Sequence, residues 1–163
     1  MRIPRASKRP KPGAVLAALA AAWALAGCAA FQASPPEGFA QYPRSRVSSS
    51  PLRASSPDGI LFTVRTEKND PPADLGFWRE ALKNRMGHAG YRVVGDTVCP
   101  MLGSQGSLLK LAAPMGNQDY FYWIAFTLSP SGTRILVAEA AGESKRFLAR
   151  EEDIRKAIAN SGF

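Results

Sequence analysis

Tyr120-Phe121-Tyr122-Trp123-Ile124-Ala125-Phe126-Thr127-Leu128 is the stretch on which the fold turns. Drawn out as a strand, it points Tyr120, Tyr122, Ile124 and Phe126 one way and Phe121, Trp123, Ala125 and Thr127 the other. Both sets are largely apolar. A strand that is apolar on both sides belongs inside a sheet, with helices or loops covering each face. The turn Ser129-Pro130-Ser131-Gly132 then reads as a hairpin into Thr133–Ala141, where Ile135, Val137 and Ala138 are the expected buried residues.

Upstream, an Asp58-Gly59 turn precedes the strand Ile60–Thr66, rich in β-branched and aromatic residues. Asn69-Asp70-Pro71-Pro72 breaks the chain. Asp74 is the expected N-cap of a helix whose apolar stripe is Leu75, Trp78, Leu82, Met86 and Ala89, with Arg79, Glu80, Lys83 and Arg85 off it. Gly90 supplies the C′ position. Tyr91–Val94 starts a second strand, Thr97–Gly106 mixes strand-like and loop-like residues, and Ser107–Ala112 is a short strand. Phe147, Glu151, Ile154 and Ile158 mark a closing helix that ends before Gly162. The order is strand, helix, consecutive antiparallel strands, helix. That is α+β, an antiparallel sheet flanked by two helices.

The N-terminal third reads differently. Residues 1–27 carry five basic side chains (Arg2, Arg5, Lys8, Arg9, Lys11) and no acid, so more than half of the net charge of +8 resides there. From Asp58 onward, 13 basic residues face 12 acidic ones. The folded part is nearly neutral and lacks the clustered Lys and Arg that phosphate binding needs, so no nucleic-acid partner is expected. After the basic stretch comes the apolar run Ala14–Ala26. At 1.5 Å per residue it reaches about two-thirds of a roughly 30 Å hydrocarbon core, short for a permanent span and right for a secretory signal.

The run ends in Leu25-Ala26-Gly27-Cys28, which resembles the lipobox of bacterial lipoprotein precursors. The resemblance covers residues 1–28. It implies a signal peptide over 1–27, a mature chain starting at Cys28, and acyl chains on Cys28 that hold it to a membrane. Several such chains anchor firmly where one does not. Ala29 in place of Asp after the cysteine resembles outer-membrane sorting of the enterobacterial type. From Ala29 to Pro57 the composition shifts to Ser, Pro, Ala and Arg without periodicity. We read residues 28–57 as a flexible tether holding the domain some tens of ångströms from the lipid, with Phe39, Tyr42 and Val47 packing as an irregular strand as the alternative.

A second resemblance covers residues 58–163. The helix ending Ala89-Gly90-Tyr91, the aromatic strand Tyr120–Ala125 and the stretch Ile135–Gly142 before a closing helix look like the PsbP-like fold. That family implies a layered sandwich and accessory or assembly subunits without catalysis. The stretch Thr97–Gly106 departs from its clean meander.

Few residues offer chemistry. One His and two Cys exclude the usual zinc and iron–sulfur ligand sets, so neither metal nor cofactor is expected. His88 at a helix end suits capping. No Gly-x-Ser-x-Gly elbow favours a serine nucleophile. Cys99, in Val98-Cys99-Pro100-Met101-Leu102, has no adjacent base and reads as a buried small side chain. Glu151-Glu152-Asp153 points to different sides of a helix and pairs with nearby cations. Gly103-Ser104-Gln105-Gly106-Ser107 reads as a flexible loop, and Asn117-Gln118-Asp119 as a polar loop with too few acids for calcium. Glu139 interrupts an apolar strand and either lines a groove or faces water. The aromatic strand 120–126 is either core or one wall of a binding site.

The expectation is a non-catalytic, lipid-anchored envelope protein, periplasmic or surface-facing, whose domain binds another envelope component. A carrier of a lipid or other apolar molecule is the alternative, which a cavity beside Trp78 and Trp123 would favour. The only site residue is Cys28.

Overall fold

A computed structural model describes residues 31–43, 52–116 and 118–163. The signal segment, Cys28, Val47, Ser48-Ser49-Ser50-Pro51 and Asn117 lie outside the described residues. The elements are β1 (Ala40–Gln41), β2 (Leu52–Ser55), β3 (Leu61–Lys68), α1 (Leu75–His88), β4 (Arg92–Met101), β5 (Ser104–Met115), β6 (Gln118–Leu128), β7 (Arg134–Glu143), α2 (Ser144–Ala149) and α3 (Glu151–Ala159). The strands form one antiparallel sheet in the order β1-β2-β3-β7-β6-β5-β4. The α+β class follows from this arrangement.

β6 lies inside the sheet between β5 and β7, and its alternation sorts the core into two layers. Trp123 and Ala125 join Phe62, Leu136, Phe147, Ile154 and Ile158 on the face covered by α2 and α3. Ile124 and Phe126 join Leu109, Leu111, Ile135 and Val137 on the other, against Leu75, Trp78, Leu82 and Met86 of α1. The α1 stripe therefore packs as its spacing predicts, up to Met86. Ala89 is the exposed C-cap residue and adds nothing to it. Asp74 caps α1, its Oδ1 accepting from the Phe77 amide at 2.8 Å.

Several expectations need correction. The domain does not begin at residue 58. Over 31–43 and 52–57 the chain expected to be a tether is part of the fold: Pro36 and Phe39 are buried, β1 pairs with β2, and β2 pairs with β3 with Leu52 and Ala54 turned inward. A Ser/Pro-rich stretch can do this because pairing on an existing strand edge satisfies its backbone, and a few spaced apolar anchors suffice. The uncertain stretch 97–106 is a hairpin, with β4 running to Met101, Gly103 at φ +72° and β5 starting at Ser104. So Ser104–Ser107 is strand, not loop, and Gln118 and Asp119 likewise belong to β6. The closing helix is two helices, α2 and α3, parted at Arg150, so three helices flank the sheet.

One contact ties the first described segment to the C-terminal one. Gln32 and Gly162 exchange backbone hydrogen bonds at 2.8 and 2.9 Å, and the Leu102 amide donates to the Ser161 carbonyl at 3.0 Å. Gly162 is required here, since a Cβ would stand 2.1 Å from the Leu102 carbonyl oxygen.

Candidate functional site

α1 covers its face of the sheet incompletely, and none of its residues is fully buried. Between α1 and the β3–β7–β6 part of the sheet runs a groove of about 330 Å³. Phe126, Ile135 and Val137 form its floor, Trp78 and Leu82 one wall, and Arg65, Glu67, Lys68 and Arg85 its rim. The volume lies near the lower limit of small-molecule sites, about 300 Å³. Trp78 is fixed by its indole N–H, which donates to Asn69 Oδ1 at 2.7 Å. Buried Asn69 in turn donates to the Gly132 and Ala73 carbonyls at 2.7 and 2.9 Å, which holds the start of α1 to the β6–β7 turn.

Glu139 sits beside the groove. It neither faces open water nor forms the wall. Because Thr63 and Glu139 are directly paired across β3 and β7, Glu139 Oε2 accepts from Thr63 Oγ1 at 3.3 Å and from the Arg65 guanidinium, and its Oε1 accepts from the Tyr122 hydroxyl. The carboxylate is mostly buried and anchors Arg65, which also reaches Glu67 at 3.0 Å. Burial, first, and the Glu139 carboxylate, second, push the Tyr122 hydroxyl far above its ordinary value. At the other flank of α1, Asp96 of β4 holds Arg79 at 2.5 Å and Lys83 at 3.1 Å. Burial works to raise the Asp96 carboxyl, but these two cations keep it below its ordinary value.

The opposite face carries a second depression of about 290 Å³, lined by Cys99, Pro100, Leu108, Arg155, Ile158 and Ala159. Cys99 is buried there, and burial pushes its thiol up to about 11. It is a neutral thiol at ordinary pH. Trp123 belongs to this face, under Lys110 at 4.3 Å and Arg155 at 4.9 Å from its ring centroid, with Glu151 linking both cations. Trp78 and Trp123 therefore lie on opposite faces. A cavity exists beside Trp78, but it does not include Trp123.

The remaining sequence candidates fall as follows. The His88 ring lies 2.7 Å from the Asn84 carbonyl, the helix-end contact its position predicts. Glu151, Glu152 and Asp153 pair with Arg155, Lys156 and Arg150. Of the aromatic strand, Phe126 lines the groove, Tyr122 packs beside Tyr91, and Trp123 is core. Among the described residues no cluster of three or more His, Cys, Asp or Glu is placed to hold a metal, and no helix is long and apolar enough to cross a membrane. Sequence reasoning missed the rim cations Arg65, Lys68 and Arg85 and the Asp96 clasp. The available signal was the polar run Thr63, Arg65 and Glu67 on one face of β3.

The outer edge of β4 is a further exposed feature. No described strand pairs with it. Its Val93 and Val98 point to the α1 side, opposite Leu111 and Ser107, and Val94 sits at a bulge; all three are exposed, Val98 at 56%.

No family model matches the chain, and no curated protein matches it in sequence. Its architecture is similar to the crystal structure of LpqN, involved in cell envelope biogenesis of Mycobacterium tuberculosis, with a TM-score of 0.63 and 16% identity over 80% of this chain and 81% of that one. At that identity the likeness is one of fold.

Proposed function

We propose that this chain is a lipid-anchored, non-catalytic protein of the cell envelope that acts as an accessory or assembly subunit by binding a protein partner. The observation that carries the binding role is the β4 edge. Along its outer edge, which no described strand pairs, β4 presents backbone donors and acceptors with Val93, Val94 and Val98 exposed, the arrangement to which an extended partner segment adds a strand. The anchor rests on Leu25-Ala26-Gly27-Cys28, and Ala29 favours outer-membrane sorting. The fold likeness to LpqN supports the envelope assignment, and we read the layered sheet as PsbP-like, a resemblance that implies an accessory subunit.

The test is in-cell crosslinking and purification of the acylated protein in mild detergent, with mass spectrometry of what remains bound. A stoichiometric envelope protein that is lost in Val98→Lys supports the reading. A partner retained equally by that variant contradicts the β4 edge. Cys28→Ser should remain unprocessed and no longer need detergent for release. Normal processing of that variant overturns the anchor.

The groove beneath α1 favours a second reading, an envelope carrier. Its apolar floor and mixed-charge rim, in which Arg65 is paired with Glu139 and Glu67 and Arg85 adds a further cation, suit one apolar chain with a polar end. A small apolar molecule recovered without a protein, and absent from Val137→Trp, supports that reading over the first.

A further inference from the structure

The distance between the anchor and the fold is much shorter than the Ser/Pro composition implies. Gln32 is hydrogen-bonded into the domain through Gly162, and Phe31 packs against the core beneath α2 and α3. Cys28 precedes Phe31 by three residues. Even fully extended, three residues span at most about 11 Å. The polar headgroup layer on one side of a bilayer is itself roughly 5 to 8 Å thick. An acyl-bearing Cys28 at that layer therefore leaves no room for a spacer between the lipid and the Gln32–Gly162 bridge.

We propose that the end of the domain where Gln32, Leu102 and Gly162 meet rests directly on the lipid bilayer. This rests on the lipid anchor of the preceding reading. The antiparallel register defines which parts share that end: the β4–β5 turn at Leu102-Gly103, the β6–β7 turn at Ser129–Gly132, and the end of β3 at Lys68. Leu102 is an exposed leucine at the bridge itself, with the chain neighbours Phe31 and Phe163 partly buried, and exposed Phe77 stands in the first turn of α1, next to the Trp78 whose indole bonds Asn69. These are apolar groups of the kind that enter an interface, in a place the anchor cannot hold far from it. Asp58 marks the opposite end, in the turn before β3, a strand length of roughly 25 Å away. The β4 edge then runs up from the membrane-facing end, the end at which Lys68 of the groove's rim also lies.

The experiment uses the full acylated chain reconstituted in vesicles of phosphatidylethanolamine and phosphatidylglycerol, in a Cys99→Ala background. A nitroxide is attached at Leu102→Cys, at Asn160→Cys as a second site near the bridge, and at Asp58→Cys as the distal reference. Collision with oxygen, which partitions into lipid, is compared with collision with a water-soluble nickel chelate. The expected result is an oxygen-to-nickel ratio several-fold higher at 102 than at 58, with 160 between them. Equal ratios at all three sites, with the acyl mass on Cys28 verified, overturn the inference and leave the anchor intact. An unmodified Cys28 that does not float with vesicles overturns the anchor and the inference with it.

Discussion

The two faces of the sheet are built to different standards. Among the described residues, the face under α2 and α3 buries a cluster of eighteen residues, including Phe62, Phe147 and Ile154 without measurable exposure. The face under α1 buries six, and α1 itself contributes only partly buried side chains to them. One sheet thus has a densely packed side, indented only by the depression at Cys99 among the described residues, and a lightly covered side. Both candidate binding features, the groove and the exposed valines of β4, belong to the second. Elements that bind are drawn from the less stable parts of a fold, and the difference between the faces gives that rule a location here.

The comparison is most sharply tested by matched truncations. Phe147→Ala, which empties the densely packed face, should destabilise the domain by about 3 to 5 kcal/mol in a denaturant titration. Trp78→Ala should cost distinctly less, about 2 kcal/mol, because the ring is only partly buried and its loss opens a groove that water already reaches. If the two cost the same, the faces are equivalent and the comparison fails.

Weaker effects sharpen the same contrast. Asp74→Ala removes the N-cap of α1 and should cost about 1 kcal/mol, visible as faster amide exchange confined to α1. Exchange that quickens equally in β6 would instead couple α1 to the densely packed core. The Asp96 clasp adds an acid dependence. Its carboxyl lies below the ordinary 3.8 in the fold, so its stabilisation is present above that pH and is lost as pH falls through the lower folded value. Asp96→Asn should flatten the acid limb of the stability curve, measured by thermal melts from pH 6 downward.

Cys99 gives the smallest and cleanest signal. The folded thiol titrates near 11 against an ordinary 9.0, so the stability this burial represents is complete below pH 9 and is lost as pH rises toward 11. Alkylation by iodoacetamide at pH 8 should be slow in the folded protein and fast in denaturant. Rapid alkylation of the native protein would mean that the second depression is open to solvent at the sulfur.

What the sequence made legible was periodic. The i, i+3, i+4 spacing of Leu75, Trp78, Leu82 and Met86 gave α1 and its inner face, and the alternation of residues 120–128 placed β6 inside the sheet. What it hid was either short or long-range. β2 alternates correctly, Leu52 and Ala54 in and Arg53 and Ser55 toward the outside, but four residues among serines and prolines carry too little signal to outweigh their composition. The Glu139 network depends on β7 pairing with β3, 74 residues from Glu139 to Arg65, and no local pattern encodes that sheet order. The groove is likewise made by α1 lying across β3, β7 and β6, none of which its own spacing identifies.

Native-state hydrogen exchange resolved by residue tests the central claim most directly. The unequal faces predict that the amides of α1 open at a free energy well below the global value, while those of β6, β7 and α3 exchange only through global unfolding. Protection of α1 equal to that of β6 would contradict it, and would make the lightly covered face as rigid as the densely packed one.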